Sequence, residues 1–193
     1  MKIEKIKLEN LEEIVKLHQK YLPYTSSKIG QGYLKSLYKS LVSNQQHHLC
    51  LVALEDNHII GSISGTYDLK KTQGIIKRDL SFSTYLVILK AILTLKVTPY
   101  ELFQKISFEN TLTGKFSKPY STILTFFVVQ DHRRKGVGKK LLNKYIQSSR
   151  KNLGHIYVDT LISNKSAQKF YKSNGFKMEK KIINSYIFKL SLK

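Results

Sequence analysis

The residues best suited to chemistry lie between His132 and Gln147, in HRRKGVGKKLLNKYIQ. Arg133, Arg134, Lys135 and Lys139 surround Gly136 and Gly138, and the text that follows has the apolar spacing of an amphipathic helix. A chain that turns into a helix leaves the first backbone N–H groups of that helix unpaired and aimed at the turn, where the helix dipole adds to their attraction for negative charge. Glycines there let an anion reach the backbone and tolerate positive φ. The expected ligand is an anion. Two common phosphate motifs do not fit: there is no G-x-x-x-x-G-K-[ST], and Leu141 stands where a dinucleotide fingerprint needs its third glycine. ATP and NAD are therefore not the expected ligands.

A second constellation lies downstream in SNKSAQKFYKSNGF, where Asn164, Ala167, Phe170, Tyr171, Gly175 and Phe176 recur at set intervals. Together with VVQDHRRKGVG before it, this pattern resembles the GNAT superfamily of N-acetyltransferases. The resemblance is strong over residues 121–180, extends through 1–68 in the order of elements, and is faint over 69–118. It implies the GNAT acyl-CoA N-acyltransferase fold, acetyl-CoA as acetyl donor, and no metal. It also implies transfer of an acetyl group to a primary amine of a small molecule, by direct attack in a ternary complex.

Residue by residue, the resemblance places the pyrophosphate of acetyl-CoA on the turn made by Arg133, Arg134, Lys135, Gly136, Val137, Gly138 and Lys139. It places the pantetheine arm in a gap between strands near 126–129 and 155–160, bonded to backbone at Phe127 and Val129, with Val128 between them. The Val129 amide is the expected oxyanion donor. Tyr171 matches the general acid, and a phenol with a pKa of about 10 suits a departing thiolate. Asn164 is expected as a cofactor contact or a helix cap. Many relatives carry a glutamate in the strand before the turn, whereas Ser121–Thr125 holds no carboxylate. Asp68, Glu109, Asp131 or a water relay is the expected base, and His47, His48 and His132 are read as strand-end or surface histidines.

The acceptor is less constrained. The text GQGYLKSLYKSLV and the segment 69–118 are loosely similar to superfamily members found with bacterial surface-polysaccharide genes, which suggests an amino sugar, nucleotide- or lipid-linked. A protein N-terminus, a lysine side chain or a polyamine is the alternative, as is an acyl group other than acetyl. A different class of reading is a non-catalytic scaffold that binds nucleic acid or a membrane surface, since fold alone does not grant activity.

These sites need elements to position them. Ile3, Ile6 and Leu8 predict a first strand, and Asn10 caps a helix carrying Leu11, Ile14, Val15 and Leu22 on one face. A second helix is predicted over 29–42, and HLCLVALEDNHIIGSISGTY reads as a hairpin turning at Asp56-Asn57. A strand at 121–129 precedes the glycine turn, followed by a helix at 137–150, a strand at 155–160, a helix at 164–173, and two strands at 175–180 and 185–192. The class is α/β with a mixed, mostly antiparallel sheet flanked by helices.

Residues 69–118 break this alternation and read as a helical insertion. The stretch 82–96 predicts a helix apolar nearly all round, stopped near Thr98-Pro99, too short and interrupted to span a bilayer. Its expected place is packed on the body, with an acceptor cover, a docking site or a membrane-surface contact as alternatives. Tyr100, Leu102, Phe103 and Phe108 extend the apolar character.

The 193 residues fit one domain, 1–193, and 41% apolar residues suffice for a core. The net charge of +20 raises affinity for polyphosphates, nucleic acids and anionic surfaces without choosing among them. It comes mostly from lysines scattered along the chain, so nucleic acid is not the expected partner, and it disfavours a polycationic acceptor. The single Cys50 excludes a disulfide framework and suits a reducing, cytoplasmic setting. A second copy of the chain is a further candidate partner.

Overall fold

A computed structural model describes residues 1–22, 25–98, 101, 119–149 and 153–192. The strands are β1 (Lys2–Lys5), β2 (His48–Glu55), β3 (His58–Thr66), β4 (Tyr120–Val128), β5 (His155–Leu161), β6 (Lys177–Ile182) and β7 (Ser185–Ser191). They form one seven-stranded sheet in the order β1-β2-β3-β4-β5-β7-β6. Every neighbouring pair is antiparallel except β4/β5. This is the mixed α/β fold that the sequence predicts. The β2/β3 hairpin turns where expected, with φ of 49° at Asp56 and 63° at Asn57, both left-handed as a tight two-residue turn of this hand requires.

Helices cover both faces. On one face, α1 (Leu11–Tyr21) and α3 (Gln31–Ser43) bury Ile14, Val15, Tyr33, Leu34, Leu37, Tyr38 and Leu41 against Cys50, Val52, Ile59 and Phe127. A short helix that periodicity does not predict, α2 (Thr25–Ile29), joins them. The insertion is helical where described. Its α4 (Leu69–Asp79) is capped by Asp68, whose carboxylate accepts from the Lys71 N–H at 3.0 Å, and α5 (Phe82–Leu93) is capped by Ser81, which accepts from Thr84 at 3.2 Å. Asp68 therefore serves as a helix cap.

As expected, α5 packs on the body, but along one narrow side: Ser36 of α3 lies 3.2 Å from Thr84, and Ile88 packs against the core of that face. Only Thr84 and Ala91 of that helix are buried, whereas Phe82 is 79% and Leu93 73% exposed. The side of the helix that meets the body is formed by Thr84, Ile88 and Ala91. Among the described residues no helix is long and apolar enough to cross a membrane. Tyr100, Leu102, Phe103 and Phe108 lie outside the described residues.

On the opposite face, α6 (Val137–Ser148) and α7 (Lys165–Ser173) seal a core of Leu49, Leu51, Ile63, Ile123, Leu141, Tyr145, Ile156, Val158, Tyr171 and Phe188. The placement of α6 depends on Gly65. A Cβ there would overlap the Tyr145 hydroxyl and the Thr122 carbonyl, so only glycine lets Tyr145 descend to Ser121, whose Oγ lies 2.6 Å from its Oη. Ser121 in turn donates to the Thr66 carbonyl at 3.0 Å. Burial raises the Tyr145 pKa, so the phenol stays neutral.

Two histidines are buried on the α1/α3 face. His18 Nδ1 lies 2.8 Å from Tyr38 Oη, and His48 Nδ1 donates to the Asn44 carbonyl at 2.9 Å. Burial pushes both imidazoles down to about 4. Because each binds its proton less tightly in the folded state, stability is complete above about pH 6.5 and is lost as pH falls toward the folded value, by up to about 3 kcal/mol per histidine. Urea midpoints should therefore fall from pH 7 to pH 4.5, and His48→Gln should flatten that fall. Gly65→Ala should destabilise the protein by about 1–3 kcal/mol through overpacking against Tyr145, read as a lower urea midpoint at pH 7.

Candidate active site

The site is made by a disagreement between two strands. β4 and β5 pair in parallel register from Tyr120↔His155 to Ile123↔Val158 and no further, although β4 runs on to Val128 and β5 to Leu161. The cause lies on the other edge of β4. Its register with β3 shifts between Ser64 and Gly65, which face Thr125 and Ile123, so Leu124 is the extra residue of a β-bulge. A bulge bends its strand and increases its twist. Here it turns β4 away from β5 one residue after their last paired position, and a wedge-shaped gap opens.

Which backbone groups face that gap follows from alternation. The Val129 N–H donates to the Ile60 carbonyl at 2.9 Å, so positions 129, 127 and 125 bond to β3. The intervening Phe126 and Val128 direct their amides and carbonyls toward the gap. Arg133 agrees with this parity: its Nε donates to the Val128 carbonyl at 3.0 Å. The expectation for Phe127 and Val129 is thus corrected by one residue. The Val129 amide already has an acceptor, and the amides directed at the gap are those of Phe126, which the sequence does not single out, and Val128. Strand period alone cannot set this parity, because it depends on which strand lies on each side.

The turn is built as its sequence suggests. After a turn of 3-10 helix at Gln130–His132, Arg134 has φ of 62° and Gly136 φ of 82°, ψ of −5°. Gly136 is the N-cap of α6 and supplies no side-chain hydrogen bond, so the first amides of that twelve-residue helix, from Val137 on, have no side-chain cap acceptor. A Cβ at Gly136 would touch nothing within 4 Å, so glycine is needed there for its backbone conformation. At Gly138 a Cβ would meet Phe170 at 3.4 Å, an ordinary contact.

Arg134, Lys135 and Lys139 are exposed and make no ion pair with a described residue. Arg133 differs: besides its bond to Val128 its guanidinium sits 5.5 Å from the centre of the Tyr21 ring, which stacks on Phe127. It acts as a strut at the end of β4 rather than as mobile charge. His132 ties the turn to the hairpin through Glu55, at 3.0 Å.

Tyr171 is 6% exposed, its ring packed among Phe126, Phe170, Phe176 and Phe188. The Asn164 side chain accepts from the Ala167 N–H at 3.0 Å and so caps α7. Asp131 is exposed in the 3-10 turn, and Glu109 lies outside the described residues. Among the described residues no group of side chains is arranged to hold a metal.

The arrangement sets the Phe126 and Val128 amides of the β4 edge and the uncapped start of α6 at one end of the sheet, with Tyr171 packed on Phe126. The profile of the Acetyltransferase (GNAT) family matches residues 11–176. The chain belongs to that family. Solved structures of the same fold include PaiA N-acetyltransferase of Thermoplasma acidophilum in complex with coenzyme A, 17% identical with a TM-score of 0.62 over 99% of this chain and 98% of that one. NAA60 of Arabidopsis thaliana in complex with acetyl-CoA is 15% identical, TM-score 0.63, over 99% and 98%. An N-acetyltransferase of Staphylococcus aureus Mu50 is 20% identical, TM-score 0.61, over 98% and 100%. No curated protein sequence matches.

The left-handed conformation at Gly136 gives a test that separates backbone shape from electrostatics. Gly136→Asn, a residue that visits this conformation, should keep coenzyme A affinity within a few fold, whereas Gly136→Glu should lower it at least about tenfold by placing a carboxylate at the helix start. Isothermal titration of both variants with coenzyme A reads the difference.

Proposed function

We propose that the protein is an acetyl-CoA-dependent N-acetyltransferase whose acceptor is a primary amine on a small molecule, with an amino sugar as the first candidate. The observation that carries this reading is the gap between β4 and β5, with the amides of Phe126 and Val128 on one wall and the uncapped start of α6 at its end. An extended amide-bearing arm can add to the free edge of β4 as a further strand would, while a diphosphate sits on the α6 amides with Arg134, Lys135 and Lys139 around it. The diphosphate of the acyl donor fits a helix start without a side-chain cap, and its pantetheine arm fits a strand edge without a neighbour.

In this reading the amide of Val128 stabilises the oxyanion that develops when the amine attacks the thioester carbonyl. Such a donor acts best when it is already fixed and dry, and Arg133 fixes Val128 by holding its carbonyl. The Tyr171 hydroxyl protonates the departing thiolate, and the packed rings of Phe170 and Phe188 fix the phenol in place. The net charge of +20 argues against polycations as acceptors and for neutral or anionic carriers of the amine, such as nucleotide- or lipid-linked amino sugars. The exposed apolar side of α5, with Lys90 on the helix and Lys77 and Arg78 close before it, supports a lipid-linked carrier or a membrane surface at that side. The buried thiol of Cys50, pushed up to about 12 by burial, suits the reducing cytoplasm.

Titration with acetyl-CoA, with ATP as comparison, at two salt concentrations tests the donor. Saturable one-to-one binding of acetyl-CoA that survives the higher salt is expected, and binding that any polyphosphate matches would overturn the reading. Tyr171→Phe should lower turnover by about 10²–10⁴ with acetyl-CoA affinity retained, measured as CoA release with an acceptor panel of amino sugars, peptide N-termini and polyamines. An equal rate would make Tyr171 a packing residue.

A further inference from the structure

Acetyl transfer also needs a group that takes a proton from the attacking amine, and Ser121–Thr125 on β4 supplies none. We infer that the carboxylate of Asp159 is this general base, reaching the acceptor from the side of the sheet opposite the diphosphate turn; the inference rests on the acetyltransferase reading of the same site.

The position follows from the strand geometry. β5 pairs with β7 in unbroken register from His155↔Ser191 to Leu161↔Ser185, so its side chains alternate without interruption. Ile156 and Val158 belong to the core beneath α6 and α7, while Tyr157 belongs to a cluster on the other face with Leu69, Tyr120 and Ile187. Asp159 therefore shares the face of Tyr157. It is also the first residue of β5 past Val158, where β4 departs, so a half-buried carboxylate stands at the apex of the gap. The donor's diphosphate site lies at the start of α6 on one face, and an amine must come to the thioester from the face that the donor leaves open, which is that of Asp159.

Two further observations support the role. Thr122, register partner of Tyr157 on the same face, has a fully buried hydroxyl with no hydrogen-bond partner among the described residues. That orphaned group lies one residue before the strands part, on the face of Asp159. The carboxylates of the neighbouring elements, by contrast, are engaged: Glu179 with Lys189 at 3.6 Å, Glu55 with His132, Asp79 with Ser40 at 2.9 Å, and Asp68 as the cap of α4.

Lys189 of β7 stands opposite Tyr157 and is held by Glu179; Lys180 of β6 stands beyond Ile187; His155 and Tyr120 lie on the same face at the far end of the paired stretch; Tyr157 is pushed up to about 12 chiefly by burial; and Asp68 and Lys70 flank Leu69 at the start of α4. Burial raises the Asp159 carboxyl to about 6, only its own backbone amide opposing, and no charged neighbour contributes. A carboxylate so placed is ionised at pH 7.5 and holds a proton more readily than a solvated one.

In the step itself, the amine nitrogen bonds to the thioester carbonyl carbon and the C–S bond breaks. The nitrogen passes one proton to Asp159, and the thiolate takes one from the Tyr171 phenol. Solvent then removes the proton from Asp159 and returns one to Tyr171, so both groups regain their starting states.

CoA release from acetyl-CoA, with water or glucosamine as acceptor, is measured against pH for the wild type, Asp159→Asn and Asp159→Glu, together with acetyl-CoA affinity and thermal midpoints. Asp159→Asn should release CoA about 10²–10⁴-fold more slowly and lose an acid limb near pH 6, with donor affinity unchanged. Its thermal midpoint at pH 8 should equal or exceed that of the wild type, because a desolvated charge has been removed, whereas a structural aspartate would leave a less stable protein. Asp159→Glu should recover part of the rate and the acid limb. Wild-type rate and acid limb in a folded Asp159→Asn that binds acetyl-CoA would overturn the assignment of the base alone. Failure of the wild type to bind acetyl-CoA would overturn the acetyltransferase reading and this inference with it.

Discussion

The structure depends on the parting of β4 and β5. Within a sheet every backbone N–H and C=O finds a partner in the neighbouring strand, and a group left without one in the interior is costly. The bulge at Leu124 bends β4 after it has paired with β5 as far as Ile123, while β5 remains bound to β7 along its whole length. Of the groups this frees, one is answered from within the protein, the Val128 carbonyl by Arg133. The rest form an edge suited to a ligand that carries its own amides. The same bulge decides the chemistry on both faces, since it opens the sheet beside Asp159 and Thr122 as well as beside Phe126 and Val128.

An open strand edge would have little use without a fixed charge site at its end, and the position of α6 supplies one. That helix is held by Tyr145, which reaches the sheet over the bare backbone of Gly65 and bonds to Ser121. The anchor lies two turns inside the helix, so the helix start is set relative to the end of β4 by packing rather than by the turn itself. The turn then only has to reverse the chain, which the left-handed conformations of Arg134 and Gly136 accomplish. Its cations are free of ion pairs with described residues, so their field is directed at whatever anion occupies the site.

The large positive charge belongs to the surface. The interior of the α1/α3 face is polar yet neutral, with His18, Tyr38 and Thr125 joined in one chain of close contacts and His48 bonded to Asn44. In such surroundings an ionised group is penalised, which depresses the histidines and raises Asp159. The one physical effect thus keeps the buried histidines neutral and leaves Asp159, half-buried at the gap, holding a proton more readily than a solvated carboxylate.

The sequence by itself determined the order and type of most elements, because apolar periodicity in the helices 11–21, 31–43 and 137–148 and the turn residues at Asp56-Asn57 act locally. It also determined the glycine turn into α6 and the aromatic motif around Tyr171, since glycine spacing and residue type are local marks. It missed α2, which is too short for a period, and it did not show that α5 leaves most of its apolar surface exposed, because periodicity reports an apolar surface without saying what lies against it. Tertiary structure alone decided which amides of β4 face the gap, since parity depends on the partner strand and the bulge that a linear pattern does not show. It also decided that Asp68 is a cap and Asp159 stands at the apex: an aspartate in the strand text HIYVDTL has no local mark of its role until β4 turns away from the strand beside it.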